Sequence, residues 1–312
     1  MGKKVRISEE EMAMIAELRG DKLSKYTKPK GYDTYRPRLS DNEINSLSIF
    51  RETKNAPTPK ILIFDIETAP MMAYVWSRWK QNIYLDQTIS EWFVICWAAK
   101  WLGGDIMGDC ISSEEILKQD DKRVVKSLWI LFNEADIIIA HNGIRFDTPK
   151  MNSRFAIHGL NPPAPYRQID TKVVAAKQFG FSSNKLDALA GYLGIEHKDD
   201  TDFNLWVRCL KGEQDALDYM LKYNKKDVEI LEKVYFKLRV WIKNHPNIAL
   251  YIESDQETCP YCGSEHLDDM GTFSYTQVSK FSNLRCADCG GIARRRVSEY
   301  PKKKRKNLVT SV

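Results

Sequence analysis

Residues 61–68 read Ile-Leu-Ile-Phe-Asp-Ile-Glu-Thr, an apolar run that becomes acidic at alternate positions. Ile61 to Phe64 has the β-branched and aromatic composition of a buried strand. Side chains two apart on a strand leave the same face, so Asp65 and Glu67 aim at one point near its end. Downstream, Trp92–Trp101 and Ile106–Ile111 read as further strands, joined through Gly103-Gly104 in a hairpin turn. Residues 114–135 have helical periodicity, and Ile137–Ala140 reads as a buried strand. A helix is expected after Asp147, ending near the NPPAP stretch at 161–165, and a short strand ends at Asp170. From there to about His245 the pattern is mainly helical. Strands, a helix, a strand and more helices imply an α/β layer fold with a mixed central sheet flanked by helices.

Three further regions surround this block. Residues 1–55 carry two capping-box signals, Ser8 with Glu11 and Ser40 with Glu43, which predict a helical extension of two short helices. Their connection is too long for a helix-turn-helix DNA reader. Residues 256–298 form a small unit around two cysteine pairs, and residues 299–312 form a basic tail. Of the overall +5 charge, nine Lys/Arg and two Asp/Glu lie from Arg285 onward, so the basic excess sits at that end. This asymmetry predicts a polyanionic partner. The longest apolar stretch, residues 92–99, is far short of the ~20 needed for a bilayer span. The N-terminus MGKKVRISEEE has no apolar signal region, so a cytosolic or nuclear compartment is expected.

The cysteines divide by spacing. Cys96, Cys110 and Cys209 are scattered, whereas Cys259-Pro-Tyr-Cys262 and Cys286-Ala-Asp-Cys289 form two Cys-x-x-Cys pairs. Such pairs match the two knuckles of a zinc ribbon, four thiolates around one structural Zn²⁺. With four sulfurs available, His266 is unnecessary as a ligand. A unit this small needs a metal or disulfides to fold, and bound zinc can contribute ~10–16 kcal/mol.

Two more acidic elements accompany the first. Ile137–Ala140 runs into His141-Asn142-Gly143-Ile144-Arg145-Phe146-Asp147, with Gly143 permitting a tight turn and Asp147 at a helix start. In Tyr223-Asn224-Lys225-Lys226-Asp227, Tyr223 and Asp227 share a helix face at a spacing of four. Two like charges 4 Å apart repel by about 4 kcal/mol at an effective dielectric of 20. Converging carboxylates therefore either protonate or collect hard divalent cations, Mg²⁺ or Mn²⁺.

Together, FDIET (64–68), HNGIRFD (141–147) and YNKKD (223–227) resemble the DEDD 3′-to-5′ exonucleases of the RNase H-like superfamily. The likeness is to the Tyr-containing branch, typified by the proofreading domain of family B DNA polymerases. IDT (169–171) and NKLDALAGYLGI (184–195) are similar to family segments too, and the position that would hold His in the sister branch is Lys222. The resemblance implies an exonuclease domain over residues 60–245. It implies two Mg²⁺ or Mn²⁺ ions held by Asp65, Glu67, Asp147 and Asp227, with Tyr223 orienting the attacking water and Asn142 and Phe146 lining the nucleotide path. His141 is expected to be structural, and Asp170 and Asp187 are not needed for the quartet.

The function so implied is release of nucleotides from a 3′ DNA end by a two-metal-ion mechanism. No polymerase-sized region is present, so a free-standing nuclease of replication, recombination or repair is expected, with any proofreading in the hands of a partner enzyme. The alternatives are an exoribonuclease of the same fold and a non-catalytic DNA-binding scaffold. Arg294, Arg295 and Arg296, followed by Pro301-Lys-Lys-Lys-Arg-Lys306, would grip phosphates without reading sequence. PKKKRK also resembles a nuclear import signal. Trp76, Trp79 and Tyr84 lie in a polar segment after the first motif, where a loop near the acids is expected.

Overall fold

The computed structural model describes residues 58–195 and 201–310. The two helices expected within residues 1–55 lie outside the described residues. A five-stranded sheet has the order β5-β4-β1-β6-β7, formed by Ile61–Thr68 (β1), Val94–Trp101 (β4), Ile106–Cys110 (β5), Ile137–Ala140 (β6) and Arg167–Asp170 (β7). β1 pairs antiparallel with β4 and β4 with β5, while β6 lies parallel to both β1 and β7. This is the mixed sheet that the sequence predicts. A two-stranded ribbon, Met72–Ala73 (β2) with Thr88–Ser90 (β3), stands beside it.

β1 is longer than the apolar run alone suggests. It continues through both acids, with Asp65 opposite Ala98 and Glu67 opposite Cys96, before a register shift at Thr68. Its even positions, Leu62, Phe64 and Ile66, join one hydrophobic cluster, and its odd positions Ile61 and Ile63 join another. The second cluster contains Val228, Leu231 and Tyr235 of the long helix Gln214–Leu238 (α7). Asp65 and Glu67 continue the odd face of β1, so the strand face that packs on α7 begins apolar and ends acidic.

Six helices precede α7: Ser113–Lys118 (α1), Lys122–Glu134 (α2), Asp147–Ile157 (α3), Thr171–Gln178 (α4), Leu186–Tyr192 (α5) and Phe203–Leu210 (α6). The single helix expected over 114–135 is therefore two. α1 is held by a capping box, Ser112 with Glu115, and ends on Gln119 in a left-handed conformation, φ 55°. The break puts Asp121 where its buried carboxylate accepts the Val94 N–H at 2.8 Å and pairs with Arg154 and His158. A continuous helix could not make those contacts. Helical periodicity could not reveal them either.

α7 approaches the sheet closely at Gly108 on β5. A Cβ there would lie 2.8 Å from Lys225 Cε and 2.9 Å from Leu221 Cδ1, well inside van der Waals contact. This glycine lets α7 settle low enough for its polar face to meet the end of β1.

The last strands, Leu267–Thr276 (β8), Ser279–Cys286 (β9) and Ile292–Arg294 (β10), form an antiparallel sheet with β9 in the middle. A short exposed helix, Lys302–Lys306 (α8), follows. Ile248 N–H bonds to the Pro260 carbonyl at 2.9 Å, and Tyr235 Oη of α7 meets His245 Nε2 at 2.8 Å. The first cysteine pair is thus anchored through residues 245–252 to the C-terminal end of α7. Among the described residues no helix is long and apolar enough to cross a membrane.

Candidate functional site

Asp65, Glu67 and Asp227 come together. Each offers a carboxylate oxygen, and these oxygens all lie within 4.8 Å of one another. Asp65 and Glu67 are half-buried, whereas Asp227 is buried. Asn224 Nδ2 donates to Asp65 Oδ2 at 2.7 Å, across 159 residues of sequence. That bond holds the aspartate's orientation and occupies one of its oxygens. Asn224 is fully buried, and its Oδ1 has no hydrogen-bond partner. Tyr223 is buried on the same helix, one turn before Asp227.

Asp147 stands apart from this trio. It begins α3, is buried, and its Oδ1 accepts the Ile66 N–H at 3.4 Å, between the two β1 acids. Burial pushes its carboxyl up to about 7, and the Asp170 charge adds to the shift. Hydrogen bonds from its own backbone and from Ile66 oppose it, as does Lys150. Of the predicted quartet, the structure groups three and places the fourth against the strand backbone beside them.

The turn before α3 is built differently from the expectation. Asn142, not Gly143, takes the left-handed conformation, φ 73°. Gly143 is needed for space, since a Cβ would sit 2.5 Å from the Ala140 Cβ. Asp170 organises the turn by accepting the N–H groups of Asn142 (3.0 Å), Ile144 (3.1 Å), Lys172 and Val173, and so caps α4. It is a structural carboxylate. His141 links Thr171 Oγ1 and the Asn184 carbonyl, each at 2.9 Å, the structural placement expected for it.

Phe146 is partly exposed at the start of α3. Lys150, three residues into that helix, holds its ammonium 4.8 Å from the Phe146 ring centre, 3.9 Å from that of Trp92, and 3.1 Å from Thr68 Oγ1. Burial lowers its pKa from the ordinary lysine value. Lys150 and Trp92 line a cleft of about 290 Å³ with Thr68, Met71, Phe203 and Trp206. Sequence reasoning passed over Lys150 and Asn224. Both were accessible, because helix spacings of three put Lys150 with Asp147 and Asn224 with Asp227.

The second cluster is sulfur. Cys259 Sγ lies 3.6 Å from Cys289 Sγ, and Cys262 Sγ 3.7 Å from Cys286 Sγ, with all four within 4.8 Å. A disulfide would need about 2.05 Å. With Zn–S bonds of about 2.3 Å, the edge of a regular tetrahedron is about 3.8 Å, so the spacing fits a four-thiolate zinc site. His266 is instead exposed and paired with Asp288 at 3.2 Å. Of the three arginines, Arg295 is tied up in ion pairs with Glu257 and Asp269, both at 2.8 Å, whereas Arg294 lies over the Phe281 ring and Arg296 is exposed.

Residues 110–239 match the family model described as the RNase_H superfamily. The five-stranded mixed sheet flanked by helices is therefore an RNase H-like α/β fold, and the four-cysteine cluster near the C-terminus fits a zinc ribbon. Among solved structures, the chain is similar to the family B DNA polymerase from the hyperthermophilic archaeon Pyrobaculum calidifontis. The two share 17% identity, with a TM-score of 0.44 over 64% of this chain and 28% of that one. The chain thus spans well under a third of that polymerase. No curated protein matches the chain. An RNase H-like domain carrying clustered carboxylates supports nuclease chemistry in general.

Proposed function

We propose that the protein is a metal-dependent 3′-to-5′ exonuclease of DNA, of the Tyr-containing DEDD type, acting in replication, recombination or repair. One observation carries this reading: β1 and α7 bring Asp65, Glu67 and Asp227 within 4.8 Å of one another beside a buried Tyr223. The donor set is all oxygen and bears three charges, which suits Mg²⁺ or Mn²⁺ and would be costly as architecture alone.

Asp65, Glu67 and Asp227 would hold the cations, and Asp147 would join them once ionised. Such ions activate water and neutralise charge building on a phosphoryl group. Asn224 fixes the Asp65 carboxylate by its 2.7 Å bond, so that carboxylate is oriented before substrate arrives. Tyr223 keeps its proton at neutral pH, given a reference pKa of about 10, and so orients the attacking water through its hydroxyl rather than taking a proton. Asn142 and Phe146 stand at the end of β6 and the start of α3, where they would line the nucleotide path. Arg294, Arg296 and the tail lysines are left to contact phosphates, whereas Arg295 serves the small sheet. The four cysteines would bind one structural Zn²⁺.

The test is digestion of end-labelled single-stranded DNA with and without Mg²⁺ or Mn²⁺, alongside an RNA strand of the same sequence. The expected result is metal-dependent, stepwise shortening from the 3′ end of DNA that Asp65→Ala and Asp227→Ala abolish. Faster loss of the RNA would move the assignment to an exoribonuclease. No shortening of either strand would sink it.

A further inference from the structure

The segment leaving β1 forms an arm. β2 and β3 pair at Met72–Ser90 and Ala73–Thr88, and Gln87 clasps the root. Its carbonyl accepts the Tyr74 N–H at 3.0 Å, its Oε1 accepts the Tyr84 N–H at 2.9 Å, and its Nε2 donates to the Tyr74 carbonyl at 3.2 Å. Beyond this clasp the chain carries its largest apolar groups into water: Trp76 is 95% exposed, Trp79 83% and Tyr84 70%. Rings so placed contribute almost nothing to folding, and an apolar surface held outward on a fixed root marks an interaction site.

Charge selects the partner. From Tyr74 to Leu85 the charged residues are Arg78 and Lys80, with no acid before Asp86. Aromatic faces interleaved with cations suit a strand of unpaired bases on a phosphate backbone. Position selects the path. The arm departs three residues after Glu67, and at its foot the Lys150 ammonium lies between Trp92 and Phe146 in the cleft beside Thr68.

We infer that residues 74–85 are a stacking platform for single-stranded nucleic acid, delivering its end past Lys150 to the carboxylates. This deepens the nuclease reading and rests on it for the direction of travel, but binding by the arm can be measured without cleavage.

The experiment uses the full chain in magnesium-free buffer without chelator, so that bound zinc is kept. A fluorescein-labelled, phosphorothioate-linked oligothymidylate is titrated by anisotropy while tryptophan emission is followed. Trp76→Ala with Trp79→Ala should weaken binding about tenfold or more and remove most of the quenching, given the usual cost of losing a stacked base. Phe at both positions should restore most of the affinity. Arg78→Gln with Lys80→Gln should lower the salt slope of binding by about one. Unchanged affinity in the double alanine variant overturns the inference. So does a change in that variant's oligomeric state with oligonucleotide binding intact, which would give the arm to a protein surface. If the parent cleaves DNA in Mg²⁺ while the alanine variant binds as the parent does, the arm inference fails and the nuclease reading stands. If the arm binds but nothing is cleaved, the reverse holds.

Discussion

The two ligand clusters of this molecule are built on opposite plans. The sulfur cluster draws on residues at most 30 apart in sequence, held by short turns, and its four thiolates would saturate a zinc ion. The carboxylate cluster joins β1 to α7 across 159 residues or more, and three acids leave positions open for water and substrate. The first can organise its own surroundings. The second exists because packing elsewhere forces its members together. A closed site is therefore expected to control stability, and an open one to control chemistry at some cost to stability.

That contrast can be broken, beginning with the largest effect. Cys286→Ser should abolish zinc retention, measured as metal per chain, and forfeit most of ~10 kcal/mol or more of metal-linked folding free energy. Hydrogen exchange should then show β8–β10 unprotected while β1 and α7 stay protected. Full protection of the small sheet without metal would refute its dependence. Asp65→Asn or Asp227→Asn should do the converse: hydrolysis falls at least about a thousandfold, while the melting temperature in magnesium-free buffer holds or rises because repulsion is relieved. A large loss of stability in either variant would mean that these acids are structural.

The junction between the two regions offers a smaller test. Burial lowers the His245 pKa to about 4 from 6.5, so between those values the unfolded chain binds the proton and the folded one does not. Stability from this residue should therefore be complete above pH 6.5 and fall as pH drops towards 4, by about 2 kcal/mol at pH 5. Urea denaturation of His245→Gln should show that much less acid sensitivity between pH 7 and 5. Equal sensitivity would remove His245 from the linkage. The smallest effect is expected of Tyr223→Phe, about a tenfold loss in kcat with KM unchanged, the worth of one hydrogen bond in the reaction. A change in KM alone would assign Tyr223 to binding.

The sequence carried the elements with a strong local signature. Alternation marked β1, the apolar runs marked β4 and β6, and Cys-x-x-Cys spacing marked the sulfur cluster. It was silent where long-range contacts overrule local preference. Periodicity joined α1 to α2, because nothing local records that Asp121 must reach Val94, Arg154 and His158. Arg295 looked like its neighbours until folding paired it with Glu257 and Asp269.

By itself, the sequence determined which residues carry chemistry and on which face of strand or helix each lies, because those periods are fixed by backbone geometry. Only the tertiary structure decided that Asp227 meets Asp65 and Glu67 while Asp147 waits behind Ile66, and that Asn224 is the residue gripping Asp65. Those distances depend on how low α7 sits on the sheet, and that is set by the fit of Leu221 and Lys225 against a glycine far away in sequence, Gly108.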